Sequence, residues 1–224
     1  MIQVLPAIIP QSKKQLEEEI KKVAYFAKLI QVDISDGIFT ETTTWPYNGR
    51  DADFFQSLKH EETGWPHWQD IDIELHMMVM QPEKVLLDWI MTGISGVVAH
   101  IEATDDFQKV IALCRTHSIS VGAAFRPSID IVRLEPFISQ VDFIQCMGSD
   151  RLGRHGVPLE KKAITLIKRL REMYPKAIIA IDIGVNEDTA EMLVKAGANK
   201  LISGGAILKA DNPEKVFKYF ESLG

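Results

Sequence analysis

Residues Leu29-Ile30-Gln31-Val32-Asp33-Ile34 form a short, nearly unbroken apolar run that carries a carboxylate near its end and opens into the turn pair Asp36-Gly37. Two later stretches repeat the plan: residues 71–77 carry His76, and residues 177–181 run into Asp182. Short apolar runs bounded by turn signals read as parallel strands covered on both faces. A carboxylate at the tip of such a strand is costly to bury unless something charged faces it. Three polar tips from segments far apart in sequence therefore predict one shared, ligand-facing site.

Working outward, strand-like and helix-like patterns alternate eight times. The predicted strands are residues 2–8, 29–34, 71–77, 96–101, 120–124, 143–147, 177–181 and 201–203. Between them lie amphipathic stretches, the clearest at 13–28, 82–92, 107–117, 159–174, 187–196 and 213–223. Ser12 followed by Gln15 reads as a capping-box start for the first, and Pro82 suits a first helical position. Strict alternation points to a parallel sheet with right-handed crossovers, and eight units favour the (β/α)8 TIM barrel over an open sheet. Pro6 and Pro10 stand where a dinucleotide-binding fold would need its glycine-rich first turn.

The 224 residues suit a single barrel domain spanning 1–224. An apolar content of 46% with 25% charged residues excludes a disordered chain. No apolar run approaches the roughly 20 residues that cross a bilayer, and the first residues lack the apolar core of a secretion signal. Cys114 and Cys146 have no metal-type spacing and give no disulfide framework, so a cytoplasmic location is expected. The net charge of -6 argues against nucleic acid or an anionic membrane as partner. A phosphorylated small molecule stays compatible, because local donors hold such ligands.

In a barrel, catalytic groups sit at the C-terminal strand ends. Asp33, His76 and Asp182 fall there, together with Gln31, Asp36, His100, Glu102, Arg126 and Met147. Asp36 beside Gly37 reads first as a turn former, and His100 is as readily a satisfied core histidine as a site residue. Asp33 and Asp182 resist a bland reading because strand residues, not turn residues, precede them. Met77, Met78, Met80 and Met147 are residues of the type that usually fills cores.

Together these residues resemble the ribulose-phosphate 3-epimerase family nearly end to end. That family's second strand reads His-x-Asp-x-Met-Asp-Gly, against Gln31, Val32, Asp33, Ile34, Ser35, Asp36, Gly37 here. Its third strand, His-Leu-Met-Val with Asn-Pro-Glu, is matched by His76 to Val79 and Gln81, Pro82, Glu83. His100, Ile101, Glu102 match the fourth strand, and Asp182, Ile183, Gly184, Val185, Asn186 resemble the seventh strand's Asp-Gly-Gly-Ile-Asn. Ala196, Gly197, Ala198 and Ser203 to Ile207 resemble the closing segments. Each motif is weak alone; their order and spacing are specific.

The resemblance implies an isomerase of the pentose phosphate pathway and Calvin cycle that inverts C3 of a ketopentose 5-phosphate through an enediolate, D-ribulose 5-phosphate and D-xylulose 5-phosphate being the expected pair. Hexulose-phosphate epimerases share the plan, and a phosphosugar-binding barrel with lost or changed activity is the other reading. Asp33 and Asp182 would be the acid/base pair. One divalent metal ion (Zn, Fe, Mn or Mg) would be held by Asp33, His76, Asp182 and Gln31, the last replacing a family histidine and expected to weaken binding. Substrate and phosphate would meet Ala7, Met78, Met147, Arg154, Gly184, Gly204 and Gly205. Ala7 stands for a family serine, Ser35 for a methionine over the sugar, and Ile183 for a phosphate-loop glycine. The sixth loop, Asp150 to Gly156, departs furthest. Arg154 there and Arg126 after the fifth strand read either as solvated loop residues or as a charge-assisted phosphate clamp, while Arg151 is expected to be solvated. Trp45, Trp65 and Trp68 lie in an unusually long segment, suited to packing under a loop or to subunit contacts in a homo-oligomer.

Overall fold

In the computed structural model, which describes residues 2–224, eight parallel strands close in sequence order into a barrel. They are β1 (Gln3–Ile8), β2 (Leu29–Ser35), β3 (Asp72–Met78), β4 (Gly96–His100), β5 (Ser120–Phe125), β6 (Phe143–Met147), β7 (Ile179–Asp182) and β8 (Lys200–Ser203). The helices are α1 (Lys13–Val23), α2 (Ala52–Lys59), α3 (Leu86–Ile90), α4 (Phe107–Thr116), α5 (Lys161–Met173), α6 (Ala190–Ala196), α7 (Gly205–Leu208) and α8 (Pro213–Glu221). The expected eight strands are all present, and the structure is the expected (β/α)8 TIM barrel. No helix among the described residues is long and apolar enough to cross a membrane.

Strand residues are buried on both faces, which is why the runs read as continuously apolar. Outward side chains pack on helix stripes spaced three and four apart: Leu16, Ile20 and Val23 on α1; Phe107, Val110, Ile111 and Cys114 on α4; Val216, Phe217 and Phe220 on α8. Removing one such buried large side chain is expected to cost about 2–5 kcal/mol, because the rigid barrel cannot collapse around the gap. Inward, Leu5, Ala7, Val98, Ala124, Phe143, Ala180 and Ile202 fill the barrel.

Three local expectations are corrected. Ser12 does cap α1, accepting from Gln15 N at 3.2 Å, but the Gln15 side chain accepts from Gln11 N at 2.9 Å, so the reciprocal arm lands one residue early. The stretch 82–92 is not one helix: a 3-10 turn over Pro82–Lys84 precedes the short α3. The long segment after β2 holds an unforeseen helix, α2. Its Phe54 and Phe55 join Trp45, Trp65 and Trp89 in a buried cluster with ring centroids 4.6–6.1 Å apart. Trp65 also donates to the Thr92 carbonyl at 2.9 Å. Trp45 and Trp65 thus pack beneath the loop as expected, and Trp68 alone of the three is exposed.

Candidate active site

Register places the chemistry. In the β2–β3 ladder Asp33 lies opposite His76, and in the β6–β7 ladder Met147 lies opposite Asp182. All four side chains are buried at the C-terminal mouth. His76 Nδ1 sits 3.0 Å from Asp33 Oδ1 and 3.6 Å from Asp182 Oδ2. One ligand atom from each of Asp33, His76 and Asp182 lies within 4.8 Å of the others.

Two carboxylates so close in a buried site disfavour each other's charge. Burial, then the field of Asp33, pushes the Asp182 carboxyl up to about 7. Burial works against charge on His76, but its bond to Asp33 and the fields of Asp33, Asp182 and Glu74 outweigh that and raise its pKa. His100 is held below the ordinary range by burial first, with the field of Glu102 opposing. Burial opposes the Glu102 charge too, yet His100 and two main-chain donors hold that carboxyl below its usual value. The two facing aspartates thus form a negative focus that a divalent cation would balance. Two carboxylates with one imidazole form a donor set suited to Zn, Fe or Mn.

Above the cluster opens a cavity of about 550 Å³. Asp33 and Asp182 line its floor. Ala7, Met78, Met147, Arg154, Gly184, Gly204 and Gly205 line its walls, so every residue expected to meet substrate faces one space. Gly148 and Gly184 let the loops after β6 and β7 close on each other. A Cβ on Gly148 would lie 2.0 Å from the Ile183 carbonyl oxygen, and one on Gly184 would lie 2.7–2.8 Å from Leu159. Ile183 itself adopts a φ of 76°, a region that disfavours β-branched residues.

Gln31 is not gathered with the other three expected ligands. It points into the barrel two residues below Asp33, where its Nε2 donates to Glu74 at 2.9 Å and to Gln145 at 3.0 Å. Gln145 Nε2 returns a bond to the Gln31 carbonyl at 3.4 Å. Glu74 in turn pairs with buried Lys200 at 2.6 Å, and that ammonium lies 3.6 Å from the centre of the Phe143 ring. A polar layer below the cluster therefore occupies the amide, a layer set by partners on β3, β6 and β8.

Of the three arginines, Arg126 is not in the cavity wall. It packs over the Phe39 ring at 4.2 Å and donates to the Phe39 carbonyl at 2.9 Å, strapping the loop after β2. Arg154 lines the cavity but pairs with exposed Glu41 at 3.0 Å, and Arg151 is exposed as expected. Asp36 is a turn former: its carboxylate accepts from Ile38 N, Phe39 N and Met80 N at 2.8–2.9 Å. The sequence reading missed His155 and Lys209, both in the cavity wall. His155 packs on Gly204, where an added Cβ would meet its ring at 2.4 Å. Its place in the divergent sixth loop was the only available signal.

A family model described as the ribulose-phosphate 3 epimerase family matches residues 3–208. The chain belongs to that family. Curated relatives include the ribulose-phosphate 3-epimerase of Schizosaccharomyces pombe, 24% identical over 215 residues, with 95% of this chain and 90% of that protein covered. That of Synechocystis is 27% identical over 218 residues, covering 94% and 89%. The family is one of isomerases, so the chain is an enzyme of epimerase type. Among solved structures, 3-hexulose-6-phosphate synthase from Salmonella typhimurium aligns with a TM-score of 0.71 at 16% identity over 100% of this chain and 98% of that one. KGPDC from Streptococcus mutans gives 0.69 at 12% identity over 100% and 97%. At these identities the structural likeness speaks for the fold alone.

Proposed function

We propose that the chain interconverts D-ribulose 5-phosphate and D-xylulose 5-phosphate by moving a proton at C3 between two aspartates. The observation that carries this reading is the convergence of Asp33, His76 and Asp182 at the floor of a cavity of the size that small ligands fill. Asp33 and Asp182 stand on β2 and β7, separated around the ring, which supports a reading in which each carboxylate serves one face of a planar enediolate. One takes the C3 proton; the other delivers a proton to the opposite face; the reverse reaction exchanges the roles. An ordinary carboxylate is too weak a base for such a carbon unless the developing enediolate charge is stabilised. A divalent ion held by Asp33, His76 and Asp182 supplies that stabilisation when bound. Gln31, with its amide engaged by Glu74 and Gln145, is outside the proposed ligand set.

Met78 and Met147 wall the cavity with apolar surface that excludes water from the sugar. The phosphate is assigned to the end lined by Gly184, Gly204 and Gly205, where the first amides of α7 have no partner inside the helix. Arg154 and Lys209 bring positive charge to the same space. The test is turnover of ribulose 5-phosphate by the parent, Asp33→Asn and Asp182→Asn proteins. The reading expects activity in the parent and its loss by several orders of magnitude in both variants, with circular dichroism unchanged. An active Asp182→Asn protein would refute the two-aspartate assignment. A parent that binds the sugar phosphate without turning it over would favour a binding barrel.

A further inference from the structure

His100, at the tip of β4, and Glu102 just beyond it are buried groups that the proposed proton transfer does not use. His76 Nε2 faces His100 Nε2 at 3.0 Å, and His100 Nδ1 faces Glu102 Oε1 at 3.0 Å. Two imidazole nitrogens bond at that distance only if one carries hydrogen and the other a lone pair. Glu102 Oε1 also accepts from Arg126 N at 3.0 Å, so this oxygen is an acceptor toward both neighbours. His100 Nδ1 must then donate. His76 Nδ1 faces Asp33 in the same way, so the two rings share one further hydrogen between their Nε2 atoms; His76 faces two carboxylates and His100 only one, which places that hydrogen on His76 Nε2 and leaves His100 Nε2 as the lone-pair nitrogen. The nitrogen turned toward Asp33 and Asp182 is therefore His76 Nδ1.

We propose that Glu102 and His100 are positioning residues that keep a hydrogen on His76 Nε2 and present Nδ1 as the nitrogen that faces the ion. The inference rests on the reading of Asp33, His76 and Asp182 as the ion-holding cluster, and it concerns Nε2 both with and without the ion. The same contacts run onward through Arg126 to Phe39, whose ring lies 4.9 Å from that of His100. The loop after β2 thus packs on the group that aligns the ligand.

The full chain, labelled with ¹⁵N-histidine, is observed by NMR with and without Zn²⁺, and Zn²⁺ affinity is measured by calorimetry. His76 Nε2 should show the shift of a protonated nitrogen in both states. His100→Leu should weaken Zn²⁺ binding roughly 10- to 100-fold, the usual effect of losing an outer-shell partner. His100→Gln should recover most of the affinity, because its carbonyl can accept from His76 Nε2 while its amide donates to Glu102. Glu102→Gln, which can donate as well as accept, should give a mixed Nε2 signal. An unprotonated Nε2 in the parent overturns the inference, and so does a folded His100→Leu protein that binds Zn²⁺ about as tightly as the parent. If His100→Leu does not fold, the contrast between His100→Gln and Glu102→Gln in the Nε2 signal decides. A parent that binds no Zn²⁺ removes the ion reading itself. The Nε2 signal still supports or overturns the positioning role in that case.

Discussion

Gly148→Ala probes the joint between the sixth and seventh loops. The added methyl carbon would lie 2.0 Å from the Ile183 carbonyl oxygen, 2.9 Å from its carbon and 3.1 Å from Leu159 Cδ1. The first two are backbone atoms, so no rotamer change relieves the clash and the β7 tip has to move. That tip is already fixed by the bond from Gly148 N to the Asp182 carbonyl at 2.6 Å. Overpacking of this kind costs about 1–3 kcal/mol, and the rigid surroundings place this site at the upper end. For a chain of this length the upper end corresponds to a melting temperature lower by roughly 6–12 °C. The functional effect should be larger in proportion, because Asp182 sits at the end of the displaced strand and a shift of about 1 Å at a reacting group costs on the order of 100-fold. Thermal unfolding followed by circular dichroism and turnover of ribulose 5-phosphate measure the two effects. A variant with the parent's melting temperature and rate would refute the account of how the two loops hold Asp182.

Lys200→Met should destabilise the protein by about 3–5 kcal/mol, read by chemical denaturation, because it leaves Glu74 buried without its cation; adding Glu74→Gln should restore much of the loss. Gln31→His should not tighten Zn²⁺ binding, since position 31 is committed to Glu74 and Gln145, and calorimetry showing a clear gain would return that position to the ligand set. Arg154→Ala should weaken binding of the phosphosugar about tenfold and leave the free ketose unaffected. The Glu41 pair that now holds Arg154 is exposed and worth at most about 1 kcal/mol, so the guanidinium is free to turn to a phosphate. Equal loss for both sugars would make Arg154 a surface charge only.

The barrel was legible because each parallel strand is covered on both faces and so reads as an apolar run, with helix stripes between. Asp33, His76 and Asp182 were legible for a related reason: a charged side chain at the end of such a run has to meet something. Gln31 was misread because inward-facing polar residues on one strand differ only in depth. Whether Gln31 joins the mouth or the layer beneath is decided by Glu74, Gln145 and Lys200, which strand register brings from 43, 114 and, through Glu74, 126 residues away. Helix α2 escaped notice because its apolar positions pair with tryptophans in the surrounding loop rather than forming a long amphipathic repeat. His155 could not be placed from sequence, since its position depends on loop turns at Gly153 and Gly156, both with positive φ. Arg126 was open between a solvated loop residue and a phosphate clamp, and neither reading could foresee that the fold puts Phe39 under its guanidinium.

The most direct test of the two-aspartate reading is the isotope at C3 of the first xylulose 5-phosphate formed from ribulose 5-phosphate in D₂O, read by NMR at low conversion. If Asp33 and Asp182 act from opposite faces, the proton delivered comes from a carboxyl that has equilibrated with solvent, and the product carries deuterium at C3 from the first turnover. Product that retains the original hydrogen at C3 would contradict the account.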